Sequence, residues 1–350
     1  MTLIRLARRT AALAGAALFA FATGALAQAP ESFWRGKTVT LIAPTAPGGG
    51  YDAYTRLLAR HMGKHIPGNP NMIVQNLPGA GGMVAANHVY NIAAKDGTVI
   101  ALFDRGMPTA PLLYGEESKA KFDSQKLTWF GSMAREAGMG VVAKHSPAQS
   151  VEAMKTTEVF FGATGPETDN AAYARLFNDL LGTKIKVLAG FKNQQAIFLA
   201  VEKGELHGLF ITGYSGIAKN YTEDQIARGE MKLIVQMAID KDPSLAGVPG
   251  VLEIVKNEED RKVIELLLAR LSLGRPVVAP PGIPADRVAI LRKAFRAALE
   301  DPELKAEADK QGLQIEPIYW DEAEAIIGRL YALPPELIER TRKIIKVSGS

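Results

Sequence analysis

Short apolar runs alternate along this chain with longer segments whose apolar residues return every three or four positions. Residues 39–42 form a short, largely apolar run of the kind buried in a sheet. Residues 53–66 then place Tyr54, Leu57, Leu58, His61, Met62 and His65 at helical spacing. The pair repeats: residues 71–75 read as a strand, 83–94 as a helix with Val84, His88 and Ile92 on one face, and 98–103 as a third strand. Strand, helix, strand, helix, strand predicts a parallel sheet with right-handed crossovers. Further strands are expected at 129–133, 139–144, 159–163, 184–189, across 204–215 and at 231–238, the last as a return crossover, and at 271–279 in the first lobe. Helices are expected at 171–181, up to Lys203, at 285–299 with Val288, Leu291, Phe295 and Leu299 aligned, and at 304–311, 321–330 and 336–345. There is no internal repeat.

The connections carry more information than the elements. Between the first strand and helix stands Ala43-Pro44-Thr45-Ala46-Pro47-Gly48-Gly49-Gly50-Tyr51-Asp52. Three successive glycines let main-chain N–H groups turn inward and a ligand come close. The helix that follows offers unpaired N–H donors and the positive end of its dipole. Together they predict a cradle for a carboxylate or a phosphate, with Asp52 placed to cap the helix. The loop lacks the Lys-Ser or Lys-Thr of a phosphate-binding loop and the G-x-G-x-x-G spacing of a dinucleotide site; the bland alternative is a plain turn. A second such loop, Asn76-Leu77-Pro78-Gly79-Ala80-Gly81-Gly82, follows the second strand, and Asp104-Arg105-Gly106-Met107 follows the third. In a parallel sheet these three loops share one edge, where ligands bind. Arg105 is either a solvated loop charge or a bidentate partner for a substrate carboxylate.

Composition changes the picture at the N-terminus. Arg5, Arg8 and Arg9 precede an apolar run at 10–22, and Ala25-Leu26-Ala27 stands before Gln28. Residues 1–27 therefore read as a secretory signal peptide cleaved near Ala27-Gln28, too short to span a bilayer comfortably. Removing them takes away three arginines and no acid, which brings 41 Lys+Arg against 37 Asp+Glu close to balance. A basic nucleic-acid-binding surface has no support. With no cysteine, stability must come from core burial rather than disulfides. His61 and His65 are four apart, but Met62 stands where a zincin helix carries Glu, so no metal site and no cofactor is expected. Gly213-Tyr214-Ser215-Gly216 is not a nucleophile elbow, since Ile217 replaces the last glycine. No other nucleophile–base or metal spacing supports an enzyme.

An export signal, then a strand, Pro47-Gly48-Gly49-Gly50-Tyr51-Asp52, a helix, Asn76-Leu77-Pro78-Gly79-Ala80-Gly81-Gly82 and Asp96-Gly97-Thr98 resembles the substrate-binding proteins of tripartite tricarboxylate transporters, the TctC or Bug family. Pro280-Pro281-Gly282-Ile283-Pro284 resembles a later family element. The resemblance implies a two-lobed α/β type II periplasmic binding protein with its ligand in the inter-lobe cleft and two crossover strands. Lobe 1 would take residues 31–135 and 240–350, and lobe 2 residues 136–239. It further implies a monomeric periplasmic receptor, not an enzyme, that captures a small organic carboxylate and passes it to a membrane permease of one large and one small subunit. A sensor subunit serving a signalling receptor, or a secreted hydrolase, are the rival readings. The expected ligand contacts are Pro47, Gly48, Gly49, Gly50, Tyr51 and Asp52 with Gly79, Ala80, Gly81 and Arg105 on the first lobe. Thr164, Gly165, Asp169, Phe191, Lys192, Thr212 and Tyr214 would close from the second. The loop holding Glu167, Asp169 and Asn170 departs from the family's Ser/Gly-rich pattern and reads either as a helix cap or as selection for a cationic group. Phe191 stands in place of a family tyrosine and His207 in place of an acid.

Overall fold

The apolar run around Leu41 becomes an inner strand of a sheet, with Leu41 and Ile42 buried on its opposite faces. In the computed structural model, which describes residues 32–165, 168–214, 216–239 and 241–345, it becomes β1 (Thr38–Ala43). The expected signal peptide and Glu167 lie outside the described residues. There follow α1 (Gly50–Met62), β2 (Asn71–Asn76), α2 (Met83–Asn91), β3 (Val99–Leu102), α3 (Ala110–Tyr114), β4 (Thr128–Ser132) and β5 (Gly138–Ala143). Next come β6 (Val159–Ala163), α4 (Asp169–Leu181), β7 (Ile185–Ala189), α5 (Gln194–Glu202), β8 (Gly208–Ile211), α6 (Gly216–Ala227) and β9 (Met231–Met237). The chain ends with α7 (Val251–Ile254), α8 (Glu258–Ser272), β10 (Pro276–Ala279), α9 (Ala285–Glu300), α10 (Pro302–Lys310), β11 (Ile318–Tyr319), α11 (Trp320–Tyr331) and α12 (Pro335–Ile345).

Two sheets result, one per lobe. The first has the order β11-β4-β10-β3-β1-β2, with β2 and β3 parallel to β1 and β10 antiparallel to both its neighbours. The second has the order β7-β6-β8-β5-β9, with β6 parallel to β7 and β8, and β5 antiparallel to β8 and β9. Residues 133–137 carry the chain from β4 into β5. Gly138 pairs with Met237, so the strand entering the second lobe and the strand leaving it run side by side.

Both faces of the first sheet are apolar, as a sheet covered by helices on either side requires. Val39, Leu41, Ile100 and Leu102 pack with Trp34, Leu57, Phe130 and Phe295 on one face. Ile42, Ala101 and Phe103 point to the other, where the cluster continues without a break into Phe161, Tyr173, Phe177 and Phe210 of the second lobe. The C-terminal helix helps to join them: α12 packs against α4 of the second lobe and against α3 and α8. At the far end of α1, His61 and His65 face α10 and the turn before it. His61 Nε2 lies 2.6 Å from Glu307 and His65 Nε2 lies 3.1 Å from Asp301, with Lys64 between Asp301 (2.6 Å) and Glu303 (2.5 Å). No helix among the described residues is long and apolar enough to cross a membrane.

Two expectations are corrected. The strand expected at 271–279 is confined to β10, and its first residues end α8, a helix that the apolar pattern did not reveal. Asn257 starts that helix, its Oδ1 accepting the N–H groups of Glu259 (2.9 Å) and Asp260 (3.1 Å). The stretch reads ambiguously because Val263, Ile264, Leu266, Leu267, Leu268 and Leu271 are all buried, a band too wide for one amphipathic face. The strand expected to run on to Ser215 stops at Ile211.

Leu267 is fully buried within α8. Leu267→Ala is expected to destabilise the fold by about 2–5 kcal/mol, read as a lower urea midpoint with an unchanged slope. A cost below about 0.5 kcal/mol, the usual limit for an exposed site, would place that helix at the surface.

Candidate functional site

Three loops meet at the C-terminal edge of β1, β2 and β3. The meeting point is Gly82. A Cβ there would lie 3.1 Å from that of Asp104 and 3.4 Å from that of Pro44, so only glycine lets the loops approach this closely. Residues Gly79, Ala80, Gly81 and Gly82 all have positive φ, at 140°, 47°, 63° and 98°. Such a run turns successive backbone groups the same way, and glycine makes it accessible at three of the four positions. The third loop is tied to the first helix, where the Tyr51 hydroxyl accepts the Arg105 N–H at 3.2 Å.

Asp52 organises the first loop, though not as a cap. The helix begins at Gly50, and Asp52 is buried in its first turn. Its Oδ2 accepts the Gly48 N–H (2.9 Å) and the Arg56 Nε–H (2.9 Å), and its Oδ1 accepts Nδ2–H of Asn76 (2.8 Å). Asn76 also donates to the Thr45 carbonyl at 2.8 Å, which fastens the loop to the end of β2. Burial works against the Asp52 carboxylate, but the bonds from Arg56, Asn76 and Gly48 outweigh it and hold the carboxyl below its usual range. Gly48 N–H is therefore engaged within the protein, contrary to the expectation that it faces a ligand. The amides of Gly49, Gly50 and Tyr51 have no hydrogen-bond partner among the described residues, and Pro47 through Gly50 are exposed. These three N–H groups, at the N-terminus of α1 and beside Gly79–Gly81, are what the loop can offer an anion.

Behind the loop lies a ring of buried charge that joins the lobes. Asp169, the first residue of α4, receives Arg105 Nε at 3.2 Å on Oδ2 and Arg270 Nη2 at 2.7 Å on Oδ1. Arg105 follows β3 in the first lobe, and Arg270 projects from α8 with its side chain 2% exposed. Burial alone would raise the Asp169 carboxyl, but Arg270 and then Arg105 overturn that and hold it below the ordinary carboxylate range. Asp169 is thus no helix cap; Thr168 holds the position before α4. Two guanidinium groups outbid the neutral N–H groups of a helix end for the same oxygens.

The ring continues through residues that the sequence reading did not single out. Arg275 Nη2 meets Glu136 Oε1 at 2.7 Å, both side chains being almost wholly buried. The Arg275 guanidinium lies over the rings of Tyr51 and Tyr54, at 4.7 and 4.8 Å from their centroids. Burial pushes the Tyr54 hydroxyl up to about 12. Glu136 sits on the segment that crosses between the lobes, wedged between two glycines. A Cβ on Gly274 would lie 2.4 Å from its Cγ, and one on Gly213 would lie 2.8 Å from its Oε2 and 3.3 Å from Arg105 Nη1. The ring touches the glycine loop, since a Cβ on Gly50 would lie 3.9 Å from Arg275 Nη2.

Of the residues expected on the second lobe, only Asp169 enters this ring. Thr164 and Gly165 follow β6, and the Thr168 hydroxyl donates to the Gly165 carbonyl at 2.6 Å. Phe191 N–H donates to Ala163 (3.3 Å) while its ring packs partly into the second-lobe core, and Lys192 is exposed. Thr212 is half-buried beside Gly213. Tyr214 packs into the apolar core with Met139, Val141 and Ile211, and burial, reinforced by Glu223 and Asp242, pushes its hydroxyl up to about 12. Arg270 had a signal in the sequence: it is the one charge among Leu266, Leu267, Leu268, Ala269 and Leu271, four residues after Leu266 and three after Leu267 on the buried side of the helix.

Comparison with known proteins agrees with this architecture. A TctC solute-binding protein from Polaromonas superposes with a TM-score of 0.66 at 21% identity, covering 88% of this chain and 98% of that one. The malate-bound MatC of Rhodopseudomonas palustris gives 0.60 at 21% identity, covering 89% and 99%. An adipate-bound protein of R. palustris gives 0.61 at 20% identity, covering 89% and 98%. These likenesses establish the two-lobed binding-protein fold. Residues 55–348 match the sequence profile of the tripartite tricarboxylate transporter family receptor, a match that begins just after the first glycine loop. The chain is a member of that receptor family.

Proposed function

We propose that this receptor captures a small organic carboxylate between its lobes and presents it, chemically unchanged, to a permease of one large and one small membrane subunit. It would work outside the cytoplasmic membrane, exported by the leader at residues 1–27. One observation carries the reading: the amides of Gly49, Gly50 and Tyr51 are unpartnered among the described residues, on a loop exposed from Pro47 to Gly50 that Asp52 and Asn76 already hold in shape. A carboxylate accepting charge-assisted bonds from them gains about 1.5–3 kcal/mol from each, and no rearrangement of the loop is needed. Relatives of the same fold that hold malate and adipate support the choice of ligand class.

Delivery requires that the occupied and empty states differ in shape. Arg105 belongs to the first lobe and Asp169 to the second, so their contact exists only when the lobes are together. A ligand bridging the glycine loop and the second lobe would favour the same closed arrangement, by the difference between its affinities for the two states.

Three outcomes are expected. Gly49 has an ordinary φ, and a Cβ there would find nothing nearer than 3.8 Å, so Gly49→Val fills ligand space without straining the loop. It should leave the melting temperature of the empty protein within about 2 °C, and it should abolish the thermal shift that mono-, di- or tricarboxylates give the unmutated protein. An unchanged shift would remove the loop from the site. Glu136→Ala strands the buried Arg275 guanidinium and should cost about 3–5 kcal/mol in urea unfolding. The Asp169 carboxyl is depressed in the folded state, so its stabilising effect is complete above the unfolded value of about 3.9 and is lost as pH falls further. The stability gap between the unmutated protein and Asp169→Asn should therefore be widest at neutral pH and should narrow below about pH 4. A gap constant from pH 7 to 3 would show that Asp169 is not ionised against the arginines.

A further inference from the structure

We propose that the far end of α1 and the start of α10 together form a site for a divalent transition-metal ion of the zinc class, with His61, Asp301 and Glu303 as ligands. The site stands at the opposite end of α1 from the glycine loop and does not depend on what that loop binds. One ring nitrogen of His61 and one carboxylate oxygen each from Asp301 and Glu303 lie within 4.8 Å of one another. His65 Nε2, 3.1 Å from Asp301 Oδ2, supplies the fourth donor. Donor atoms around a tetrahedral zinc stand about 3.4 Å apart, given bonds of about 2.0–2.2 Å. Glu303, exposed in the first turn of α10, has the freedom to close the difference. Asp301 is already fixed: its Oδ1 caps α10 by accepting the Glu303 N–H at 2.9 Å, and its Oδ2 is left to face α1. Glu307, 2.6 Å from His61 Nε2, orients that ring, as carboxylates beside metal-bound histidines do. Imidazoles mixed with carboxylates suit zinc, nickel or cobalt, whereas magnesium and calcium take oxygen donors. The zincin spacing fails on α1 because it asks for an acid within the same helix; here the acids arrive from the other end of the chain.

The cluster already gathers cations. Lys64 Nζ sits between Asp301 (2.6 Å) and Glu303 (2.5 Å), and Arg60 holds Glu307 at 2.5 Å. The Lys64 ammonium thus stands where a metal ion would, as a competitor. Its side chain is 42% exposed, and such exposed pairs contribute little, so it can swing into water. With both histidines neutral, the carboxylates of Asp301, Glu303 and Glu307 outnumber Lys64 and Arg60 by one. Once Lys64 leaves, a dication and Arg60 balance the three acids. The ion would clamp α1 to α10, two elements that meet only in the folded chain, so its binding energy adds to fold stability.

The test uses untagged mature protein, stripped with a chelator and free of carboxylates. Isothermal titration with zinc chloride should show one site per chain, and saturating zinc should raise the melting temperature by about 3 °C or more. Magnesium should give no such shift. His61→Gln keeps a donor for Glu307, and Asp301→Asn keeps a cap for α10; each should weaken zinc binding at least tenfold, while His88→Gln on α2 leaves it unchanged. Lys64→Met removes the competitor and should tighten binding several-fold. That arm deletes an exposed group, so it decides the matter even where a ligand variant fails to fold. Absence of zinc binding to the unmutated protein would overturn the proposal. So would binding that His61→Gln and Asp301→Asn leave intact, or that Lys64→Met fails to tighten, because the ion would then sit elsewhere.

Discussion

A carboxylate held by two arginines from separate stretches of chain is the constraint around which this receptor is arranged. Charges taken out of water are tolerated only when each has a close partner. Asp169 sets its charge against Arg105 and Arg270 at once, which fixes the start of α4 against the loop after β3 and against α8. The pairing of Arg275 with Glu136 does the same for the segment crossing between the lobes. Neither pair need add much net stability, because desolvation offsets most of the attraction. What the pairs supply is position: a shift that separates either one leaves a bare charge in a poorly solvated interior.

The glycine loop depends on a related device at its own scale. Free amides are useful to a ligand only if the loop does not fold in on them, and a stretch as permissive as Gly48-Gly49-Gly50 has little stiffness of its own. Asp52, Asn76 and Arg56 supply it from outside. The first two reach the loop backbone at Gly48 and Thr45, and Arg56 bonds both of them in turn. One loop amide is engaged so that the next three are presented. This division of labour distinguishes Gly48 from Gly49 and Gly50, which look alike in the sequence.

The alternation of elements is legible from the chain because each strand is short, apolar and bounded by a turn. β1, β2, β3 and β6 fall within a residue or two of where the pattern puts them. The meeting of the three loops is also legible, since it follows from the topology alone. The partners of the charges are not. Asp169 looks like a cap by position, and only the arrival of Arg270 from a helix a hundred residues later makes it something else. α8 itself is hidden because its apolar band is too broad to show a helical period. Glu136 and Arg275 carry no local motif, and their importance comes from the lobe crossing that brings them together. Tyr214 illustrates the reverse case: a residue next to Gly213 in sequence belongs to the apolar core of the second lobe.

The C-terminal helix has a mechanical consequence. α12 lies across the two halves of the molecule, packed on α4 on one side and on α3 and α8 on the other through buried residues such as Leu337, Ile338 and Ile345. It therefore acts as a strap over the joint. Parting the halves would make the strap slip along at least one of its seats, a shear of packed helices rather than the swing of a loose door. The travel of such a clamshell would be set by how far that slip can go before side chains lose their register, and the outer surface of the strap would move with the jaws.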